Sequence, residues 1–528
     1  MLGEPATNTS SPVLFVQRVG LVSGPLAALL VYLLLGNVTG SVSGGETATD
    51  GAGATFLSEP GRRCLAMAAW MVVWWITEAI PVSATALLPL VLLPVLNVTN
   101  MKGAAAPYAD EIIFLFLGGF VLGIAMEKSG LHRRIALLTL SIVGTKPAMM
   151  VGGVMAATIL IGLWVSNTAT TIMMLPIATS VIAMTERLAA ESGEDGWSRA
   201  DVERFALCML LGVAYAGSLS GLGTPIGTPP NGVMIQNAER LLGRSISFAG
   251  WMMFGVPLIL VLAPAAWLLL TRVLHPVHAP AIPGGQELIA RERRGLGKLS
   301  RAEATVMGVF FFAVAWWLLR VPLCRLLGLG TIGDDGGFSP WIADSTVAIA
   351  AAVLLFVIPI GDHDRWAVIT WDDAEKLPWG VLLLFGGGLS LAAAMSATGC
   401  DKYLGSLFGS LAGLPMLLMI GVLVIGVIAL SELASNTAIA AALMPILAAV
   451  GPAMGLDPML LMLTAALAAS CGFMLPVATP PNAIVFATGR IGMHRMMRAG
   501  IWMDGLCAVV IIAAMWLLGP WVLGIVGE

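Results

Sequence analysis

Charge is what this chain has least of. Only 11% of its 528 residues are charged, against roughly 25% in soluble domains, while 58% are hydrophobic and the mean hydropathy is +0.91. A soluble globular protein is excluded, and the composition reads as a polytopic, all-α membrane protein. The formal net charge of −4 is spread thinly and the basic residues fall in loops, so nucleic acid is not among the expected partners. The six cysteines (Cys64, Cys208, Cys324, Cys400, Cys471, Cys507) show no CxxC spacing and read as small core residues rather than metal or disulfide sites. The five histidines (His132, His275, His278, His363, His494) fall in or beside loops, which supports no histidine proton relay. The N-terminus lacks a basic start followed by a cleavage site, so the first apolar stretch reads as a retained span.

Against that apolar background, polar residues stand out where they repeat. Ser166-Asn167-Thr168-Ala169 recurs as Ser435-Asn436-Thr437-Ala438, and Thr228-Pro229-Pro230-Asn231 recurs as Thr479-Pro480-Pro481-Asn482. Gly118-Gly119 matches Gly387-Gly388, Gly130 matches Gly399 and Pro176 matches Pro445, all at 387 − 118 = 269. One duplicated unit is the simplest account. The two motifs are 228 − 166 = 62 residues apart in the first copy and 479 − 435 = 44 in the second, and the charged run 186–204 accounts for the longer first copy.

A bilayer crossing needs roughly 20 residues, which places helices at 14–36, 64–80, 82–97, 111–128, 207–240, 249–272, 303–320, 341–361, 379–398, 458–489 and 500–526, about eleven in all. The stretches 147–185 and 413–450 are too long for one crossing, carry the Ser-Asn-Thr motifs near their midpoints, and are expected to be re-entrant hairpins turning at those tips. Lys and Arg cluster at 128–134, 291–301 and 490–498. A cytoplasmic N-terminus puts all three inside, with Glu46, Asp50, Asp334 and Asp335 outside and the C-terminus outside. Arg62, Arg63 and Arg244 fall on the wrong side. Five crossings then separate Gly118 from Gly387, so the second copy is expected to be inverted, with its polar breaks facing those of the first near the midplane.

Irregular backbone inside a membrane is tolerated only where protein, water, ion or ligand satisfies it. Ser, Asn and Thr are preferred N-caps, so each tip is expected to start a returning helix whose free N–H groups, at its positive end, face an anion. In Thr-Pro-Pro-Asn, Thr suits an N-cap and Pro the first helical position, so 207–240 and 458–489 are expected to break there and free carbonyls for a cation. The four motifs hold no Lys or Arg, and bound sodium ions would supply the missing positive charge through hydroxyl, amide and carbonyl oxygens. Cation and anion would then each favour the other's binding. Glu78 reads as a helix end. Glu432, three residues before Ser435, reads either as a tuner of cation affinity or as a residue facing water, and Trp70, Trp74 and Trp75 as interfacial or packing residues. A single polar motif would read as an interhelical bond or a kink; the paired, matched set does not.

These residues resemble the divalent anion/sodium symporter family, carriers of di- and tricarboxylates or sulfate, over nearly the whole chain. The resemblance rests on both Ser-Asn-Thr motifs, both Thr-Pro-Pro-Asn motifs, Glu78-Ala79-Ile80-Pro81 and the segment 470–483. It implies one sodium site at Gly162, Ser166, Asn167 and Gly227 and another at Ser431, Ala434, Asn436 and Ala478. Substrate carboxylates would be held by Ser166, Asn167, Thr168, Ser435, Asn436 and Thr437, with Thr228, Thr479 and Pro480 close by. It also implies a homodimer with scaffold helices at 14–145 and 303–400, a cytoplasmic linker at 276–302, and a transport domain at 146–275 and 410–526 that moves like an elevator. Two positions depart from the repeat: Ile439 stands opposite Thr170, and Gly162 lacks the hydroxyl of Ser431, so the first sodium site is expected to lean on backbone carbonyls. The resulting expectation is a sodium-coupled symporter of C4-dicarboxylates such as succinate, malate or fumarate, in a bacterial inner membrane, with no catalytic residues and no organic cofactor. Sulfate or citrate as cargo, or sodium-independent exchange, is the alternative. An intramembrane enzyme finds no nucleophile with a base beside it, and a passive channel suits two closed hairpins poorly.

Overall fold

The computed structural model describes residues 11–35, 57–192, 197–277, 279–282, 285–332, 338–361, 365–408 and 414–526. Glu46, Asp50, His278, Asp334, Asp335 and His363 lie outside them. The chain opens with α1 (Ser11–Leu34) and α2 (Glu59–Thr77), then α3 (Val82–Thr85), α4 (Leu88–Val95) and α5 (Met101–Ala105). The first repeat runs through α6 (Glu111–Ser129), α7 (Leu131–Val143), the hairpin arms α8 (Pro147–Gly162) and α9 (Asn167–Ser192), and the broken pair α10 (Arg199–Ser220) and α11 (Pro229–Leu242). Then come α12 (Phe248–Leu268), α13 (Gly285–Gly295), α14 (Arg301–Leu327), a two-stranded hairpin of β1 (Gly330–Ile332) and β2 (Phe338–Pro340), α15 (Asp344–Val357) and α16 (Trp371–Ala374). The second repeat holds α17 (Trp379–Ala397), α18 (Cys400–Phe408), the arms α19 (Met416–Ser431) and α20 (Asn436–Ala453), and the broken pair α21 (Pro458–Ala469) and α22 (Pro480–Phe486); α23 (Met493–Val526) closes the chain.

The offset of 269 holds in the backbone as well as in the sequence: α8 maps onto α19 at both ends, α9 and α20 start at matched asparagines, and α7 and α18 start at matched residues. Gly130 and Gly399 sit between the matched helices at φ +79° and +73°, a left-handed turn that favours glycine. Gly118 and Gly387 mark close helix approaches: a Cβ would lie 2.5 Å from the Ala348 carbonyl on α15 in the first case and 2.3 Å from the Ala86 carbonyl oxygen in the second. The matched helices α6 and α17 run in opposite directions. Lys128, at the end of α6, pairs with Asp373 just ahead of α17, while Ser390 late in α17 bonds the Ala104 carbonyl ahead of α6.

The breaks are held at the centre. Every residue of α21 except Pro458 and most of α10 are buried, whereas α1, α12, α14 and α23 turn apolar side chains such as Phe15, Leu260, Phe311 and Val509 outward, a surface that needs lipid around it. Nine helices among the described residues are long and apolar enough to cross a bilayer. Helix starts carry the expected chemistry: Ser58, Asp110, Ser198, Ser247 and Asp457 accept first-turn N–H groups through their side chains, and Ser300 with Glu303 makes a reciprocal capping box.

The structure corrects several expectations. The region 82–97 is two short helices rather than one crossing, because Pro89 and Pro94 suit local starts and bends rather than a long ladder. The helices α7, α13 and α18 had not been expected at all; at 13, 11 and 9 residues they are too short to register as spans. His132 and His494 lie beside connecting turns, each the second residue of its helix (α7 and α23), and His132 is buried with its Nδ1 3.2 Å from the Met126 carbonyl oxygen. All six cysteines are buried and free.

Candidate functional site

Both hairpins turn at their Ser-Asn-Thr motifs with one hydrogen-bond pattern. In the first tip Leu163 N–H donates to Ile159, Trp164 and Val165 N–H to Ile161, and Thr170 N–H to the Ser166 carbonyl at 2.9 Å; in the second, Glu432 donates to Ile428, Leu433 and Ala434 to Leu430, and Ile439 to Ser435 at 2.9 Å. Ser166 and Ser435 are therefore the residues from which α9 and α20 depart. The N–H groups of Asn167, Thr168, Asn436 and Thr437 fall in the first helical turn, where no intrahelical acceptor exists.

The broken helices show the same duplication. Thr228 and Thr479 precede α11 and α22 in extended conformation (φ −142° and −137°), with proline at the first helical position. The Thr479 hydroxyl accepts from Asn482 N–H at 3.4 Å, while the Thr228 hydroxyl makes no such cap. Asn231 and Asn482, motif residues that were not expected in the site, hold the breaks open. Asn231 Nδ2 donates to the Gly221 and Thr224 carbonyls at 2.8 Å each, and Asn482 Nδ2 to Gly472 and Leu475 at 3.4 and 3.1 Å. Each amide thus satisfies the carbonyls that the interruption frees, which is why asparagine ends the motif.

A cavity of about 1130 Å³ brings the four motifs together: Ser166, Asn167, Thr168 and Thr228 from the first repeat and Ser435, Asn436, Thr437, Thr479 and Pro480 from the second all line it, with Gly227 and Ala478. That volume exceeds the about 300–1,000 Å³ of an enclosed ligand pocket, since the cavity extends beyond the motifs to Glu78, Glu127, Lys128, Arg365, Asp373 and Lys376. The basic side chains among these sit at helix ends and connecting segments rather than at the tips, and Lys128 is held by Asp373. Glu78 caps α2 in a left-handed conformation (φ 46°), as its reading as a helix end anticipated. Trp75 is buried and bonds the Val82 carbonyl, and Trp70 packs edge-on against Trp74.

Gly162, Ser431 and Ala434 lie behind the tips, off the cavity wall. Around Gly162 the structure corrects the expected lack of a hydroxyl: a Cβ there would lie 2.1 Å from Ser220 Oγ, so Ser220, reaching across from α10, puts a hydroxyl where Gly162 has none. In the second repeat Ser431 supplies that hydroxyl from its own arm, bonding the Ala469 carbonyl at 3.0 Å, and the residue matching Ser220 is Cys471. The exchange is visible in sequence only once the 228-to-479 offset is applied to the residues ahead of the motif. Beside Ser220, the Asn167 amide nitrogen donates to the Gly217 and Gly227 carbonyls at 2.9 and 3.2 Å. On the other side, Gly472 sits between Ser431 and Ala478, a Cβ there lying 3.2 Å from each, and the buried Asn436 Oδ1 has no hydrogen-bond partner among the described residues. Ile439 is buried, where its counterpart Thr170 donates to the Val165 carbonyl at 3.3 Å.

Glu432 does not face water. It is buried, and its two carboxylate oxygens accept from Met474 and Leu475 N–H at 2.9 and 2.8 Å. Asp504 of α23 accepts from Phe473 N–H at 3.0 Å. Three successive amides ahead of Ala478 and Thr479 are thus anchored to carboxylates, a bridge of more than 30 residues that sequence spacing does not signal.

Comparison with known proteins adds a family and a fold. A family model described as the sodium:sulfate symporter transmembrane region matches residues 54–525. The sodium-dependent dicarboxylate transporter SdcS of Staphylococcus saprophyticus is 40% identical over 510 residues, covering 96% of this chain and 92% of its own, and SdcS of Staphylococcus aureus strain bovine RF122 is 39% identical with the same coverage. Among solved structures, the YdaH transporter of Alcanivorax borkumensis aligns with a TM-score of 0.53 at 16% identity over 97% of this chain and 99% of its own. MtrF of Neisseria gonorrhoeae, of a class of antimetabolite efflux pumps, aligns at 0.56 and 13% over 97% and 96%. At such identities the structural likeness bears on fold alone.

Proposed function

This chain belongs to the sodium:sulfate symporter family, and we propose that it is a sodium-coupled symporter of C4-dicarboxylates such as succinate, malate or fumarate, working by elevator-type alternating access. It is an integral membrane transporter rather than an enzyme. The observation that carries the reading is the convergence of both Ser-Asn-Thr tips and both Thr-Pro-Pro starts on one cavity with no cationic side chain in any of them. The two Ser-Asn-Thr tips present free helix N–H groups and hydroxyls to the two carboxylates of the substrate, the Thr-Pro-Pro starts, whose prolines carry no N–H, add the hydroxyls of Thr228 and Thr479, and sodium supplies the charge that the motifs lack.

The cation positions follow from where oxygens gather. In the first, the Asn167 amide, the Gly217 and Gly227 carbonyls and the Ser220 hydroxyl close on one small space with Gly162 and Ser166; turning the amide oxygen inward completes a set of hard oxygen ligands. In the second, Asn436 Oδ1 is buried with no hydrogen-bond partner among the described residues and Gly472 sits between Ser431 and Ala478, and a buried carbonyl oxygen without a donor is what a cation satisfies. Sodium bound there fixes the tips whose N–H groups hold the substrate, so ion and anion stabilise each other's binding. Labelled succinate uptake into proteoliposomes is expected to fall to background when choline replaces sodium and to be blocked by malate and fumarate. Unchanged uptake in choline overturns symport, and block by sulfate or citrate alone overturns the substrate class.

Opposed directions of matched helices support an inverted repeat. The cavity reaches Lys128, at the end of the molecule that also carries Arg133 and Arg134 against α13 and the loop after it, so we read the conformation as inward-facing in a bacterial inner membrane, N-terminus inside and C-terminus outside. On the resemblance the protein works as a homodimer, scaffold to scaffold. At the end of α6 opposite Lys128, about 28 Å away along a 19-residue helix, Arg240 of the mobile part reaches the scaffold residue Asp110 at 3.7 Å and the Leu389 carbonyl at 3.4 Å. The pair is partly exposed and worth about 0.5–1 kcal/mol. Arg240→Gln is therefore expected to raise the outward-facing fraction by about two- to fivefold, read as an altered distance distribution between spin labels on the scaffold and on the mobile part. An unchanged distribution removes Arg240 as a lock.

A further inference from the structure

Away from the substrate cavity, three helix ends meet around a second cavity of about 440 Å³. The first turns of α10 contribute Glu203, Arg204 and Leu207, the end of the α12 segment contributes Leu274 and His275, and the start of α23 contributes His494, Arg495 and Arg498. Carboxylates answer this cationic set only in part. Arg495 pairs with Glu203, and Arg204 lies 4.0 Å from Asp201 while donating to the Pro276 carbonyl at 3.3 Å; Arg498 has no carboxylate partner among the described residues. His275 Nε2 is shielded from solvent and has no hydrogen-bond partner among the described residues. Burial first, and then the nearness of Arg495, Arg498 and Arg204, holds this imidazole below its ordinary pKa, so its neutral form can turn an N–H to an acceptor.

We propose that this cavity is a binding site for the phosphate of an anionic phospholipid. Guanidinium groups hold phosphate oxygens through paired N–H donors, and basic pockets between membrane helices at the cytoplasmic surface suit anionic headgroups. A lipid fits better than a free anion because lining residues are neighboured along their own helices by exposed apolar ones. Leu207 and Leu274 form its apolar wall, and Val273 on one side and Ile501 and Trp502 on the other are exposed just beyond it. The contributing helices all belong to the part proposed to move. An occupied pocket would tether that part to one leaflet, a consequence that rests on the elevator reading while the site itself does not.

The test uses full-length protein purified in neutral detergent, with native mass spectrometry and thermal melting read after adding phosphatidylglycerol, phosphatidylcholine or glycerol 1-phosphate. Wild type is expected to retain one phosphatidylglycerol per protomer and to melt higher with it, and Arg204→Gln/Arg498→Gln to retain at least about tenfold less. A control with the same charge loss on α13, Arg293→Gln/Arg294→Gln, is expected to behave as wild type. Equal retention by wild type and the Arg204/Arg498 variant overturns the site, and so does an equal loss in the α13 control. Stabilisation and lipid displacement by glycerol 1-phosphate overturns the lipid as occupant in favour of a soluble phosphate.

Discussion

Asn167→Ala and Asn436→Ala are each expected to reduce sodium-driven uptake to background while leaving the amount of folded protein in the membrane unchanged. Each asparagine is the first residue of a returning hairpin arm and lines the cavity with its own N–H at the positive end of a helix; the Asn167 amide lies against Gly217 and Gly227, and Asn436 Oδ1 is buried with no hydrogen-bond partner among the described residues. The substitution leaves the backbone N–H in place and removes only the amide. A polar contact to a charged group is worth about 1.5–3 kcal/mol, or about 10- to 150-fold in affinity for the ion, and the linked loss of substrate affinity compounds it. Folding should survive: the Asn167 amide also reaches the Gly217 and Gly227 carbonyls, but Asn231 and Asn482 still hold the two breaks through the Gly221, Thr224, Gly472 and Leu475 carbonyls. The decisive measurement is uptake against sodium concentration beside a size-exclusion profile. Near-normal sodium dependence in either variant contradicts the cation assignment, whereas loss of both uptake and a monodisperse peak implicates folding instead.

How far the chain announced this arrangement depends on the range of each interaction. The tips were legible because polar residues in hydrocarbon need a reason and these occur twice at one spacing; the backbone then repeats the offset hydrogen bond by hydrogen bond. The breaks were legible from Thr-Pro-Pro, since proline suits a helix start and not its interior. What stayed hidden falls into two kinds. Short helices such as α7 and α18 lie below the length at which an apolar run registers as a span. Side chains that act across the fold, such as Ser220 filling in for Gly162 or Asn231 reaching back to Gly221, carry no local pattern; only the comparison of the two copies after they are superposed exposes the trade of Ser220 and Gly162 for Cys471 and Ser431.

Glu432 belongs to that second kind and carries the other large expected effect. Its carboxylate is the acceptor for Met474 and Leu475 N–H, and Asp504 holds Phe473 N–H beside them, so two acidic residues from α19 and α23 pin the segment that leads to Ala478 and Thr479. No ladder within a helix or sheet can take over these amides, because they lie in the break itself. Glu432→Ala leaves two buried N–H groups without acceptors at about 1–3 kcal/mol each, about 2–6 kcal/mol together, a large share of the roughly 5–15 kcal/mol that holds a fold. The variant is expected to melt well below wild type, to lose the stabilisation that sodium gives, and to transport nothing. Glu432→Gln keeps one acceptor oxygen in nearly the same shape, so about half of the loss should return. Melting curves with and without sodium for the three proteins separate a strut from a ligand. If Glu432→Ala melts like wild type and only its sodium response is gone, the carboxylate serves the ion and not the backbone.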